Sequence, residues 1–248
     1  TPSSESLSTI STEMLKFYTT LSTISGRSME NLTPVHLTRT GAFRELLNQI
    51  SRGYSRYTSG SLPPRKTLAF VLKMHDRYGV CSTSQQRWRA NKKGQASARL
   101  VLLEEHEQIH WWLLVREEGE GLVTQLEALS DAKSKVGRVA YCGYELVRET
   151  KKGAERPRWT WRMQDATLTQ WRDKIRKSVR SQRDDGVRQI MHSLRRVPTF
   201  SGVRPQAYSL AAFTKAEWKR ARRGDFPVPD IALGWQGRYK QAKTRPLA

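Results

Sequence analysis

Residues 98–116 read ARLVLLEEHEQIHWWLLVR, and they are the clearest guide to the fold of this chain. Two apolar runs, Ala98–Glu105 and 109–116, flank a short polar break, which is the pattern of a β-hairpin. Trp111 and Trp112 are adjacent and therefore do not alternate, so one of them must point away from the core face. We predict a pair of antiparallel strands here.

Further strands are predicted on both sides of this hairpin. Residues 139–149 and 158–163 form a second apolar pair across a basic loop at 151–153. The run LAFVL, residues 68–72, follows two prolines and has the pattern of a buried strand. Residues 82–97 are polar and basic, and they form either an exposed helix or a loop. These segments together predict an antiparallel sheet of four or five strands.

Three helices are predicted toward the C-terminal end of the chain. Apolar residues recur every three or four positions in 167–183 and in 184–196. A third helix is expected to begin near Gly202, with Pro205 in its first turn, and to end in a cationic run before Gly224. The pattern indicates a basic helical region.

Two more helices are predicted nearer the start of the chain. One lies at about 41–52, where Thr40 could cap it. The apolar spacing in 7–25 also fits a helix, although its serine and threonine content leaves β structure open. The fold class is therefore α+β, and four segments are expected: an N-terminal helical segment at 1–62, an antiparallel β-rich core at 63–166, a basic helical region at 167–223 and an irregular basic tail at 224–248.

The charge of the chain calls for an anionic partner. The formal net charge is +21, from 44 Lys and Arg against 23 Asp and Glu. Positive charges repel one another in a compact state, so such an excess does not help folding. A nucleic acid fits, because each cation near a phosphate releases a condensed counterion. Arginine supplies 29 of the cations, and its planar fork clamps phosphate, pairs with guanine and stacks on bases.

The charge is also unevenly distributed. Residues 41–100 hold 12 basic and two acidic side chains, and residues 132–248 hold 28 basic and ten acidic. Between them, residues 101–131 hold one basic and eight acidic side chains. Two basic lobes thus flank an acidic stretch, which we expect to face away from the nucleic acid or to meet a basic partner protein.

The predicted nucleic-acid contacts combine cations with aromatic side chains. Four arginines in 167–183 are spaced four, four and three apart, which would align them in one stripe. Strict alternation in 158–162 places two tryptophans on one face, as core residues or as a stacking platform for bases. A further patch surrounds Trp88. The predicted contact residues are Arg65, Lys66, Arg87, Trp88, Arg89, Lys92, Lys93, Arg158, Arg162, Arg172, Arg176, Arg180, Arg183, Arg195, Arg196, Lys219, Arg222 and Arg223.

No sequence motif for metal or cofactor chemistry is present. Cys81 and Cys142 are not in a CxxC pattern, so we expect no metal and no cofactor. RNA cleavage without metal would need a base for the 2′-hydroxyl and a cation for the charge at phosphorus. His36 and Arg39 are the candidate catalytic residues. With no long apolar run and no signal-peptide pattern, the sequence predicts a cytoplasmic protein that does not enter a membrane.

The arginine-rich composition, the β-hairpins and the basic helical extension over residues 41–223 resemble the CRISPR RNA-processing endonucleases. The likeness is greatest to the arginine-rich, plasmid-borne type IV members. The resemblance implies ferredoxin-like domains and recognition of a repeat-RNA hairpin by the basic helices. It also implies metal-independent endoribonuclease activity and retention in a ribonucleoprotein complex with other protein subunits.

A non-enzymatic DNA-binding protein of a plasmid or conjugative element is the alternative. The helices predicted at 184–196 and 203–223 are joined by a turn at 198–202 that would permit a helix-turn-helix-like module. The sequence favours RNA as the partner and leaves DNA open.

Overall fold

The computed structural model describes residues 33–150, 153, 155–228 and 242–247. Within them the chain is α+β, with seven α-helices, a mixed six-stranded sheet and a three-stranded antiparallel sheet. The helix predicted at 7–25, loop residues Lys151 and Lys152 and much of the predicted tail lie outside the described residues. None of the described helices is long and apolar enough to cross a membrane.

The six-stranded sheet contains the predicted hairpin, which is confirmed. The turn of this hairpin uses His106 and Glu107, whose φ angles of 50° and 58° are those that a type I′ turn requires. In the described residues only the β1–β3 pair is parallel. The order is β5-β2-β4-β3-β1-β9, and the strands are β1 (Val35–His36), β2 (Arg56–Leu62), β3 (Ala98–Glu105), β4 (Gln108–Val115), β5 (Ser130–Asp131) and β9 (Thr244–Arg245).

Four of these strands form a ferredoxin-like βαββαβ unit. Helix α2 (Thr67–Tyr78) connects β2 to β3, and α4 (Leu122–Leu126) connects β4 to β5. In the sheet, β4 lies between β2 and β3, which is the split βαβ arrangement. Helices α2 and α4 pack together on one face of the sheet. Helix α3 (Ser84–Lys92) is an addition to the unit, inserted between α2 and β3.

The opposite face of the sheet is covered as well. Helix α1 (Arg39–Ser51) packs there, and a second sheet adds to the same core: β6 (Ala140–Tyr141), β7 (Tyr144–Glu149) and β8 (Arg158–Met163). The side chains alternate along β3, so that Val101 and Leu103 join this core while Leu100 and Leu102 join the other. The predicted pairing of 139–149 with 158–163 is confirmed for β7 and β8.

The three predicted C-terminal helices are confirmed as α5 (Asp165–Arg180), α6 (Asp184–Arg195) and α7 (Val203–Ala221). Helices α5 and α7 run side by side in the same direction. Near their starts, the backbone N–H of Met163 donates to Gln206 Oε1 at 2.7 Å. Near their ends, Arg222 Nε donates to the carbonyl oxygen of Val179 at 2.8 Å. The bundle packs on β8 and shares the core of α1.

The prediction of a strand at 68–72 is wrong, because these residues lie in α2. A short apolar run does not distinguish a strand from a buried helix. Here Thr67, Val71 and Met74 are buried at helical spacing, and Gly79, with a φ of 63°, ends the helix in the left-handed conformation. The polar segment 82–97, predicted as either an exposed helix or a loop, contains the helix α3.

Some predicted boundaries also shift. Helix α1 begins at Arg39 and is capped by Thr38 rather than Thr40, since Thr38 Oγ1 accepts from the N–H of Gly41 at 3.2 Å. Helix α5 ends at Arg180, so the last arginine of the predicted stripe lies beyond it. Strand β2 lies inside the range predicted as an N-terminal helical segment, and it pairs with β4 along its whole length.

Candidate nucleic-acid interface

The tryptophans of β8 lie in the core of the protein. Trp161 is fully buried and stacks on Phe43, with ring centroids 4.0 Å apart and planes 12° apart. Trp159 is half-buried against the same core. These tryptophans are therefore core residues and not a stacking platform. Val101, Leu103, Trp112 and Leu114 fill the sheet face on which a four-stranded RNA-binding sheet would stack bases.

Helix α3 is the first candidate surface. Thr83 and Gln86 close a capping box at its start: the Thr83 hydroxyl accepts from the N–H of Gln86 at 3.2 Å, and Gln86 Oε1 accepts from the N–H of Thr83 at 2.7 Å. No residue of the helix is buried. A helix that contributes nothing to the core is held by its caps and its neighbours, so its side chains are free for another role.

On the exposed face of α3, an aromatic side chain lies next to basic side chains. Trp88 is 56% exposed, and Lys92 Nζ lies 4.2 Å from the centroid of its ring. Arg89 and Lys93 are exposed on the same short helix, form no ion pair with any described residue, and have no acidic neighbour in the helix. The arrangement offers a ring face for stacking and cations for phosphate. We call Trp88, Arg89, Lys92 and Lys93 the α3 patch.

Arg87 belongs to α3 but points elsewhere. Its Nη1 donates to the carbonyl oxygen of Ser82, and its Nη2 donates to Ser84 Oγ at 3.3 Å. Burial lowers its pKa, and the nearby charge of Arg99 adds to this shift. The predicted contact at Arg87 is therefore held against the body of the protein, beside a cleft. Arg65 and Lys66, also predicted, are exposed at the 3₁₀ turn before α2.

Helix α5 is the second candidate surface. Arg172 and Arg180 are exposed and form no ion pair with any described residue. Between them, Arg176 pairs with Asp173 at 3.1 Å and lies 5.4 Å from the ring of Phe213 on α7. The stripe thus has two free arginines and one that is partly engaged. Arg183 is exposed in the turn that leads into α6.

The structure divides the remaining predicted contacts into exposed and committed residues. Arg222 lies over the ring of Trp218 at 4.8 Å, binds the end of α5 and lies 3.6 Å from Asp184. Arg162 pairs with Glu145 at 2.7 Å. The Nε and Nη2 atoms of Arg195 are buried. Arg222 and Arg162 thus have partners within the protein, whereas the buried Arg195 atoms have no hydrogen-bond partner among the described residues. The assignment of all three as nucleic-acid contacts stays a prediction. Exposed side chains remain at Arg158, Arg196, Lys219 and Arg223.

Several carboxylates of the acidic stretch form ion pairs with cations from outside it. Glu104 pairs with Arg245 at 2.6 Å and Glu105 with Arg39 at 2.6 Å. Glu117 pairs with Lys133. Lys133 and Arg245 belong to the basic lobe at 132–248, and Arg39 precedes the lobe at 41–100, so these pairings neutralise part of the acidic stretch.

His36 and Arg39 lie in different surroundings. His36 is buried, only 7% exposed, and burial lowers its pKa, although the carboxylate of Glu45 opposes the shift. Arg39 is tied to Glu105, whose carboxylate also accepts from the hydroxyl of Tyr141 at 2.9 Å. Arg39 therefore has an ion-pair partner within the protein, and its role as a catalytic cation stays a prediction.

No pattern in the sequence indicates which side chains lie around His36. These are Arg87, Arg99, Glu45 and Gln49, which line a cleft of about 490 Å³ with it. They come from α1, α3 and β3, so no local spacing in the chain connects them. No group of three or more His, Cys, Asp or Glu among the described residues is placed to hold a metal ion.

Comparison with known proteins gives no relative on which a function could rest. No family model, curated protein or solved structure matches this chain.

Proposed function

We propose that this protein binds RNA that has unpaired nucleotides, through the α3 patch and the exposed arginines of α5. The observation that carries the proposal is Trp88. This ring is 56% exposed on a helix that buries nothing, next to Lys92, Arg89 and Lys93. A large apolar ring kept in water among cations matches the chemistry of an unpaired nucleotide, which has a flat base and an anionic phosphate.

The energies favour this interpretation of the α3 patch. Stacking of a base on an aromatic side chain contributes about 1–3 kcal/mol. A cation above the ring adds about 0.5–1 kcal/mol at an exposed site. Each cation–phosphate contact also adds counterion release, which makes the affinity depend on salt. One stacked base and a few phosphates therefore suffice for a measurable interaction, and α5 supplies further phosphate contacts at Arg172 and Arg180.

Unpaired RNA is favoured over duplex DNA because α7 is poorly placed to read a groove. In a helix-turn-helix the start of the second helix enters the major groove. Here the start of α7 is docked on β8: the N–H of Gly202 donates to Thr160 Oγ1 at 2.9 Å, and Gln206 bonds the backbone of Met163. Gly202 and Val203 are buried. This docking weighs against the alternative of a helix-turn-helix DNA-binding protein.

Metal-independent cleavage of that RNA is a second candidate function, favoured by the setting of His36. Burial lowers its pKa, so the imidazole is neutral at pH 7 and able to accept a proton, and Arg87 and Arg99 line the same cleft. Incubation of a hairpin RNA in EDTA tests this candidate. Loss of a shortened product in His36→Ala supports cleavage, and an intact substrate with the wild-type protein excludes it. The resemblance to CRISPR RNA-processing endonucleases stays a prediction.

Sequencing of the nucleic acid that copurifies with the protein tests the main proposal. We expect RNA that is depleted when Trp88→Ala is purified in the same way. Random genomic DNA in both preparations would contradict the proposal.

A further inference from the structure

The cleft beside α3 lies where the edge of the main sheet is open. Along β3, strand β1 pairs with Leu102 and Leu103 alone. Residues 98–101 of β3 therefore have no partner strand on that side among the described residues. Helix α1, the segment before α3 and the start of α3 close the space around this edge. The resulting volume, about 490 Å³, is in the range of small-ligand sites and is large enough for one nucleotide.

The cleft has two arginines that form no ion pair with any described residue. Arg99 on β3 is half-buried, its Nε is shielded from solvent without a hydrogen-bond partner, and it forms no ion pair with a described residue. Arg87 lies close enough that the charges of the two arginines oppose each other. A guanidinium with buried N–H groups is costly to leave unpaired. A bound anion with several oxygens would satisfy Arg99 and offset the repulsion between Arg99 and Arg87.

The wall opposite these arginines offers a hydrogen-bond acceptor. Gln49 is 3% exposed, and its Nε2 donates to Glu45 Oε1 at 2.5 Å. Because the amide nitrogen is thus engaged, the Oε1 atom is left as an acceptor, and it is buried without a partner. The carboxylate of Glu45 makes this side of the cleft unsuitable for an anion. It therefore suits an N–H group, such as those on the edge of a nucleobase.

We propose that this cleft binds a single phosphorylated nucleotide of the bound RNA, with its phosphate at Arg99 and Arg87 and its base at Gln49. The proposal rests on the proposed RNA-binding function, and it assigns to the RNA a second, inward-facing site behind the α3 patch. Helix α3 links the two, since it carries Trp88 on its exposed side and Arg87 on the side of the cleft.

Calorimetric titration of the full chain with adenosine 5′-monophosphate, adenosine and inorganic phosphate tests the site. We expect the nucleotide to bind more tightly than either fragment. Arg99→Gln should weaken nucleotide binding by about ten-fold or more, since it removes a charged hydrogen-bonding partner. Gln49→Leu should weaken binding of the nucleotide but not that of phosphate. Arg148→Gln, an exposed arginine outside the cleft, is the matched control and should change nothing.

Two outcomes would overturn the site. One is no preference for the nucleotide over phosphate, and the other is nucleotide affinity unchanged by Arg99→Gln in a protein that melts at the wild-type temperature. Saturating nucleotide should also weaken binding of a hairpin RNA, and an unchanged RNA affinity would overturn the assignment of the cleft to the RNA. Trp88→Ala separates the two proposals, because it should weaken RNA binding and leave the nucleotide affinity intact. If the protein binds RNA but not the nucleotide, only the proposed nucleotide site is contradicted. If it binds the nucleotide but not RNA, the proposed function is contradicted.

Discussion

Trp161 on β8 and Phe43 on α1 make two contacts with each other, a ring stack and a hydrogen bond. Their rings stack with centroids 4.0 Å apart, and Trp161 Nε1 donates to the backbone carbonyl oxygen of Phe43 at 2.8 Å. The contact spans 118 residues of sequence, and the core around it includes Val101 and Leu103 of β3. It therefore connects the main sheet's helical cover with the second sheet, and it closes the sheet face on which RNA could otherwise stack.

We expect Trp161→Ala to lower the free energy of unfolding by about 3–5 kcal/mol, because it opens a large cavity and leaves the Phe43 carbonyl without its donor. Urea denaturation measures the loss. Trp88→Ala is the control at an exposed tryptophan, and it should change the stability by no more than about 0.5 kcal/mol. Equal losses in the two variants would contradict the assignment of Trp161 to the core and Trp88 to the surface.

The central hairpin of the ferredoxin-like unit and the C-terminal helices follow from patterns that are visible in the sequence. The hairpin at 98–116 has two apolar runs around a polar break, and 167–183 repeats its apolar residues at helical spacing. The run at 68–72 misleads because five apolar residues in a row fit both a strand and a helix buried on one side. Packing on the sheet decides between strand and helix here, and a local sequence pattern does not show that packing.

Basic composition is visible in the sequence, but which arginines are free is not. Arg39 and Glu105 are 66 residues apart, and Arg245 and Glu104 are 141 apart, yet each pair is in contact. Pairing at such separations depends on the folded topology. For the same reason the cleft could not be predicted, since Gln49 and Arg99 come from different elements. The patch around Trp88 could be predicted because a single short helix holds it.

Loss of the exposed ring should weaken RNA binding. We expect Trp88→Ala to reduce the affinity for a hairpin RNA by about 1–3 kcal/mol, the contribution of one stacked base. Trp88→Phe keeps an aromatic face and should recover most of the affinity. Fluorescence anisotropy at fixed salt measures both variants, and a Trp88→Ala protein that binds as tightly as the wild type would refute the role of the α3 patch.

Substitution of two arginines near the end of α5 should have different effects, one on the salt dependence of RNA binding and the other on stability. Arg180→Gln removes an exposed cation, so the slope of log affinity against log salt should fall by about 0.7–0.9 while stability is kept. Arg222→Gln removes the hydrogen bond to Val179 and the pairing with Asp184, so it should cost about 1–2 kcal/mol of stability. Salt titrations and urea melts of both variants provide the measurement. An unchanged slope in Arg180→Gln would argue against α5 as a phosphate-binding surface.

The carboxylate of Glu105 should make stability depend on pH. Partial burial would raise its pKa, but the hydrogen bonds from Arg39 and Tyr141 outweigh burial, so the folded-state pKa is lowered. Its contribution is therefore present above the ordinary glutamate pKa, about 4.3, and is lost as the pH falls through the lower folded value.

Glu105→Gln should consequently destabilise the protein at pH 7 by about 1 kcal/mol, a small value because the partner Arg39 is partly exposed to solvent. The difference from wild type should shrink as the pH is lowered below about 4. Urea melts of the two proteins at several pH values show this convergence. A difference that stays constant down to the lowest pH would mean that the ion pair does not stabilise the fold.

The central claim is that the protein binds RNA with unpaired nucleotides. Its most direct test is the affinity of the wild-type chain for a hairpin RNA with a single-stranded loop and for a DNA duplex of the same sequence, both at about 150 mM salt. We predict that the hairpin RNA binds at least about ten-fold more tightly, as expected from the stacking of one base. Equal or tighter binding of the duplex DNA would contradict the claim.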